Sequence, residues 1–374
     1  MTNWIMTTNN LVLYIQSNSP GEITAWIPPI IREFKGQFPS GIVTLLLTPC
    51  QYASGEEMAV SSAIPGIDHI LTPKQTLQLL FKYPFVRPHT NSAIICLGGD
   101  PVYSRLFAFK YKLKSAIYTH RSITTHHGFD YCFSRRIHGD LMLEHFRSIS
   151  TSQWTRPINE DYCLFLCGSR PQHFFNLLPI IQRTVRIIKK SRPNFQAVLL
   201  VSPFINSDRF NQFSSTHDLS DFIIVRDSNQ SLYISFARLV VTIPGTNTLQ
   251  IGALNTPAIV LVPLNNPKAL IFDGLAGLIG KIPIICHIFL FFMAHSLAFF
   301  NRRTGFLYSL PNQILNQSVF TEIVGILRPK SLAKAILNRF TDTAYLNNAR
   351  TALADIDSPP IASTMINQLF RSST

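Results

Sequence analysis

Thr242-Ile243-Pro244-Gly245-Thr246-Asn247-Thr248-Leu249-Gln250 follows the apolar run 239–241 and leads through Ile251-Gly252-Ala253-Leu254 into a second apolar run, 257–264. The order of residue types predicts a strand, a tight glycine turn, a helix and a further strand. Small hydroxyl residues gather where that helix begins. Such a turn aims backbone N–H groups and the positive end of a helix dipole at an anion such as a diphosphate. Glycine suits it because the backbone must bend sharply and let a ligand come close. An ordinary strand-to-helix turn capped by Thr246 or Thr248 has the same composition, so the turn gains meaning from the rest of the chain.

Outward from this stretch, strand and helix alternate along the chain, which predicts an α/β protein with parallel sheets. The first series has strands at 11–15, 42–47, 93–97, 116–118 and 131–133, with a helix at 23–34 into which Pro28-Pro29 intrudes. Between residues 144 and 161 the chain turns polar, and we place a domain boundary there. A second series opens with a strand at 162–166 and a helix at 174–190. Strands at 197–201, 222–225, 239–242 and 259–262 follow, with closing helices at 329–339 and 344–353. We therefore expect two Rossmann-like, doubly wound domains facing a cleft: 1–155, 156–340, and a helical tail at 341–374.

Composition narrows the function. Hydrophobic residues make up 46% of the 374 and charged residues only 14%, which excludes a disordered chain. Lys and Arg outnumber Asp and Glu by 33 to 20, a formal net charge of +13. An excess of that size suits phosphorylated substrates or anionic lipid. The basic residues are scattered and form no zinc-finger spacing, RNP motif or Lys/Arg block, so nucleic acid is not the expected partner. The cysteines (50, 96, 132, 163, 167, 286) lack metal-ligand spacing and read as buried thiols in a reducing compartment. Residues 1–10 lack the basic and apolar regions of a signal peptide, which points to the cytoplasm.

Residues 282–300 carry no Asp, Glu, Lys or Arg and lie between Lys281 and Arg302-Arg303. The length suffices to span a bilayer as a helix, but Pro283, His287, His295 and Ser296 interrupt it, and a span would split the second domain. With Phe289, Phe291, Phe292, Phe299 and Phe300 beside basic ends, we expect 281–303 to lie on a membrane surface. A spanning helix and a buried core helix are the alternatives.

Four loops follow expected strands: Ser17-Asn18-Ser19-Pro20-Gly21-Glu22, Gly98-Gly99-Asp100-Pro101, Gly168-Ser169-Arg170, and Pro244-Gly245-Thr246-Asn247-Thr248. Together they offer a carboxylate able to act as a base, an arginine for a phosphate and two glycine turns. With these residues in this order the chain resembles lipid-A-disaccharide synthase, a GT-B glycosyltransferase family, and a divergent branch related to it more than the synthase itself. Pro20-Gly21-Glu22-Ile23-Thr24 echoes that family's Gly-Glu-x-Ser-Gly-Asp loop, and Gly98-Gly99-Asp100-Pro101 its Gly-Ile-Asp-x-Pro strand end. Cys167-Gly168-Ser169-Arg170 echoes Pro-Gly-Ser-Arg, and Pro244 to Gln250 echoes Ser-Gly-Thr-x-Thr-Leu-Glu. Leu310-Pro311-Asn312 matches a late Leu-Pro-Asn segment. Gln51-Tyr52-Ala53-Ser54-Gly55-Glu56 and Pro65-Gly66-Ile67-Asp68 resemble the divergent branch. Two departures stand out: 119–127, Thr-His-Arg-Ser-Ile-Thr-Thr-His-His, replaces a segment rich in Pro, Trp and Arg, and Gln250 replaces a carboxylate.

The resemblance implies transfer of a sugar from a UDP-linked donor to a lipid acceptor by a protein peripheral to the cytoplasmic face of the inner membrane, with a homodimer left open. Asp100 is then the general base, with helix capping beside Pro101 as its other reading. Arg170, with Gly168 and Ser169, would bind the diphosphate, or form a surface ion pair. Gly245, Thr246, Asn247, Thr248 and Gln250 would hold nucleotide and ribose, or shape the turn. Gly21 and Glu22 would lie on the acceptor side, or Glu22 would only complement a helix dipole. His126 and His127 are weaker acid–base candidates. The scheme needs no metal or other cofactor. A membrane-bound binder without turnover and a nucleotide-sugar epimerase remain the alternatives, since one fold hosts several chemistries.

Overall fold

The computed structural model describes residues 11–50, 53–82, 92–120, 128–149, 151, 153–227, 229–265 and 305–371. The chain divides into two compact units: residues up to Ile149 together with those from Asp357 onward, and Ser150–Ile356.

In the first unit the order is β1 Val12–Ser17, α1 Pro20–Ala25, α2 Ile27–Gln37, β2 Ile42–Leu47, α3 Glu57–Ser62, β3 His69–Leu71 and α4 Pro73–Phe81. Then come β4 Ser92–Cys96, α5 Pro101–Tyr111, β5 Lys114–Thr119, β6 Tyr131–Ser134, α6 Arg135–His138 and α7 Leu141–Arg147. All pairings are parallel, in the order β3-β2-β1-β4-β5-β6. β1 is buried along its whole length, as a central parallel strand covered on both faces must be, and its sequence is correspondingly apolar up to Gln16.

The expected helix at 23–34 is two helices. The backbone breaks at Trp26, whose N–H still bonds Glu22 O at 2.9 Å. Pro28 and Pro29 thereby fall in the first turn of α2, where a missing N–H costs no helical hydrogen bond.

In the second unit the order is β7 Tyr162–Phe165, α8 Pro171–Ser191, β8 Gln196–Leu200, α9 Ser207–Thr216, β9 Ile223–Val225 and α10 Gln230–Phe236. It continues through β10 Leu239–Thr242, α11 Thr246–Ala253, β11 Ala258–Pro263, α12 Leu310–Leu315, β12 Thr321–Gly325, α13 Pro329–Thr341 and α14 Thr343–Ala354. The parallel order is β9-β8-β7-β10-β11-β12. Counted within the unit, this is the same 3-2-1-4-5-6 arrangement as in the first, the Rossmann order. Phe174, Leu177, Leu178, Ile181, Val185 and Ile188 repeat at helical spacing and turn one side of α8 into the core with Phe165, Leu199 and Val241. Cys163 and Cys167 are buried there, and burial pushes both thiols up, Cys167 to about 12.

Residues 341–374 do not form one tail. α14 stays with the second unit, and α15 Ala362–Phe370 returns to the first. Glu144 of α7 caps it, its Oε2 accepting the N–H groups of Ile361 (2.7 Å) and Ala362 (3.0 Å). Phe370 then packs on Phe34 and Phe38, with ring centroids 5.3 and 5.6 Å apart. Gly139 makes the return possible: at φ 132° it brings its α-carbon so close to Pro359 O that a β-carbon would stand 2.3 Å from it.

Among the described residues no helix is long and apolar enough to cross a membrane. The segment expected on the membrane surface, 281–303, and the candidates His126 and His127 lie outside the described residues.

Candidate functional site

In each sheet the strand order reverses between the unit's first and fourth strands, β1 and β4 in one, β7 and β10 in the other. Ligands of open α/β sheets bind beyond the carboxyl ends of the strands at this point. All four loops singled out from the sequence leave those four strands there.

At the second unit's switch point, Gly168 (φ 100°) follows β7 and Gly245 (φ 142°) follows β10. Both backbones occupy the region that favours glycine. The loops touch: a β-carbon on Gly168 would meet Ile243 Cδ1 at 2.8 Å. Arg170 is the N-cap residue of α8, half-exposed, in an extended conformation. Gly245 is the N-cap of α11 and open to solvent, with Thr246 and Asn247 half-exposed behind it. These residues present a helix start and an arginine on adjacent strand ends, the requirements for holding a diphosphate.

Thr248 and Gln250 face inward. The Thr248 hydroxyl donates to Gly245 O at 2.7 Å and accepts the N–H of Leu310 at 3.2 Å. Gln250 is buried and donates to the Ser231 hydroxyl at 3.0 Å. Leu310-Pro311-Asn312 supports the same turn from behind. Pro311 fills the place a β-carbon on Gly252 would take, 2.8 Å from Pro311 Cγ. Buried Asn312 donates to Phe320 O and Glu322 Oε1, each at 2.9 Å, and accepts the Phe320 N–H at 2.7 Å. These side chains hold the glycine turn in shape.

The first unit brings Glu22 to the loop after β4. A β-carbon on Gly98 would stand 1.8 Å from Glu22 Oε2, so the carboxylate lies against the glycine. Gly99 (φ 78°) is flanked by Asn18 Nδ2 and Thr48 Oγ1, 2.7 and 2.8 Å from where its β-carbon would be. The hydroxyls of Ser17 and Thr48 are buried with no hydrogen-bond partner among the described residues. Asp100 is exposed and caps α5, Oδ1 accepting the Val102 N–H at 2.9 Å. The capping reading of Asp100 is thus realised, and its Oδ2 makes no protein hydrogen bond among the described residues. Gly21 sits half-exposed in the first turn of α1 beside Glu22. Burial first, then the nearby Glu22 and Asp100 carboxylates, push the Cys96 thiol up to about 12, which leaves it unreactive.

Sequence reasoning missed the brace of this loop. Gln16, buried at the end of β1, donates through Nε2 to Gly98 O (2.8 Å) and Asp100 O (3.0 Å), and its Oε1 accepts the Ser104 hydroxyl. The one available signal was a glutamine ending an otherwise apolar strand, Val12-Leu-Tyr-Ile-Gln16. Asp68, in contrast, fastens structure only: its Oδ2 accepts the Val43 N–H and pairs with Lys35, each at 2.7 Å.

Two Rossmann-like units, each with a glycine-turn site at its switch point, define the GT-B class. The sequence model of lipid-A-disaccharide synthetase matches residues 142–275, which agrees with the family resemblance. That span contains Gly168-Ser169-Arg170 and the whole Gly245–Gln250 turn. A Listeria monocytogenes protein assigned as a UDP-N-acetylglucosamine 2-epimerase superposes with a TM-score of 0.56 at 10% identity, covering 96% of this chain and 94% of that one. Another UDP-N-acetylglucosamine 2-epimerase structure gives 0.50 at 11% identity, over 96% and 95%. MurG of Acinetobacter baumannii gives 0.48 at 12% identity, over 96% and 99%. At these identities the likeness is one of fold. No curated protein sequence matches the chain. At the coarse level the chain is glycosyltransferase-like.

Proposed function

We propose that this protein is a glycosyltransferase that moves a sugar from a UDP-linked donor to a lipid acceptor at the cytoplasmic face of a membrane. The observation that carries the reading is the pair of glycine turns at the second unit's switch point, lying wholly inside the span that resembles lipid-A-disaccharide synthetase. In this reading Arg170 and the start of α11 hold the donor diphosphate and offset the charge that develops on it. The free oxygen of Asp100 takes the proton of the acceptor hydroxyl. The acceptor's own oxygen, freed of that proton, attacks the anomeric carbon as the bond to the UDP phosphate oxygen breaks, and UDP leaves with that electron pair. Glu22 and Gly21 lie on the acceptor side.

The test is release of UDP from a panel of UDP-sugars, with and without an acylated glucosamine phosphate. Acceptor-dependent UDP together with a glycosylated lipid supports transfer. The epimerase neighbours keep a second reading open, that of a nucleotide-sugar epimerase, which UDP release with an isomerised free sugar would identify. Donor binding with neither product would mark a binder without turnover.

A further inference from the structure

The second unit carries a basic face on α8 and α13. α8 contains no Asp or Glu in 21 residues, and its exposed side ends in Arg183, Arg186 and Lys190. α13 packs beside it, again without a carboxylate, and begins with Arg328 as N-cap and Lys330 in its first turn. With Ser331 these residues line an open cavity of about 670 Å³. Only Arg186 has carboxylate partners, Asp218 at 2.7 Å and Asp221 at 3.4 Å. Arg183, Lys190, Arg328 and Lys330 form no ion pair among the described residues.

Stability does not explain this arrangement. Lys190 in the last turn of α8 complements a helix dipole, but Arg328 and Lys330 sit at the positive end of α13, where a cation is unfavourable. Like charges gathered in a concavity raise the cost further. An anion in the cavity would offset both. The surroundings favour a lipid surface over nucleic acid. Ile326, 57% exposed, stands two residues before Arg328, and Ile187 forms part of the wall. No aromatic side chain lines the cavity to stack on a base.

We propose that this face docks the second unit on an anionic bilayer, the cavity cations holding the phosphates of lipid headgroups. The docking takes its purpose from the lipid-acceptor reading and rests on it to that extent, whereas the charge geometry stands by itself.

The experiment is flotation of the whole protein with vesicles of phosphatidylglycerol and phosphatidylcholine, with pure phosphatidylcholine as reference. A variant carrying Arg183→Gln, Lys190→Gln, Arg328→Gln and Lys330→Gln is compared with one carrying Lys74→Gln, Lys82→Gln, Arg136→Gln and Arg371→Gln. The two have equal net charge, and all eight positions are exposed. Each cation near an anionic surface is worth about fivefold in binding. The first variant should therefore lose at least roughly tenfold in partition onto the anionic vesicles, and the second should keep most of it. Equal loss in both, or none in the first, overturns the docking face. So does retention of a duplex oligonucleotide in preference to vesicles, abolished by the first variant. UDP binding by calorimetry, unchanged in the first variant, separates the outcomes: wild-type protein that floats without binding UDP fails the transferase reading and leaves the docking face intact.

Discussion

The Glu22 carboxylate rests on the α-carbon of Gly98, leaving 1.8 Å between its Oε2 and the place a β-carbon would occupy. The helix that follows β1 and the loop that follows the adjacent β4 thus meet without space for one methyl group. Gly98→Ala must displace the carboxylate, and overpacking of this kind costs about 1–3 kcal/mol. Adding Glu22→Ala should recover most of that loss. Urea unfolding of both single variants and the double variant measures the coupling, and strictly additive effects would contradict the contact.

Gln16 closes the same loop from beneath. Gln16→Leu leaves two carbonyls and the Ser104 hydroxyl without their buried partner. We expect a loss of about 2–3 kcal/mol, against roughly 1 kcal/mol for Ser104→Ala. Denaturant midpoints at constant m-value check the order, and a larger effect for Ser104→Ala would reverse the assignment of the brace.

Asp100→Asn separates capping from catalysis. Asparagine caps a helix as well as aspartate, so stability should stay level. If the carboxylate is the base, turnover falls by roughly 10²–10⁴-fold while UDP affinity holds. Near-normal turnover would leave Asp100 as a cap alone.

Arg170→Ala should weaken UDP binding by about 1.5–3 kcal/mol, the range for hydrogen bonds to charged groups. Calorimetry reads this directly, and unchanged affinity in a folded variant removes the arginine from the site.

His145 supplies a pH dependence. Burial first, then the Arg32 guanidinium, lower its pKa from 6.5 to about 4. Between these values the unfolded chain binds a proton that the folded chain does not. The contribution is therefore whole above pH 6.5, declines as pH falls towards about 4, and then levels off. His145→Gln should flatten that part of the stability profile, read as urea midpoints from pH 7 to 4. An unchanged profile would mean that His145 titrates normally.

The central strands were legible because parallel strands covered on both faces are written as unbroken apolar runs: 42–47 and 239–242 coincide with β2 and β10. β3, three residues long, and β12, half-buried throughout, lie at sheet edges and carry no such run, so they escaped notice. The turns at Gly168 and Gly245 were legible because their backbone conformation demands glycine. The Gln16 brace was not, because it depends on β1 lying beside β4, more than 70 residues further along the chain. The inward turn of Gln250 depends likewise on Ser231 of α10, and no local pattern announces it.

The most direct test of the central claim is acceptor-dependent UDP release, followed by mass spectrometry of the lipid product. With a UDP-sugar and an acylated glucosamine phosphate, transfer yields stoichiometric UDP and glycosylated lipid, with neither when the lipid is omitted. UDP formed at the same rate without the lipid, accompanied by isomerised free sugar, would contradict transfer.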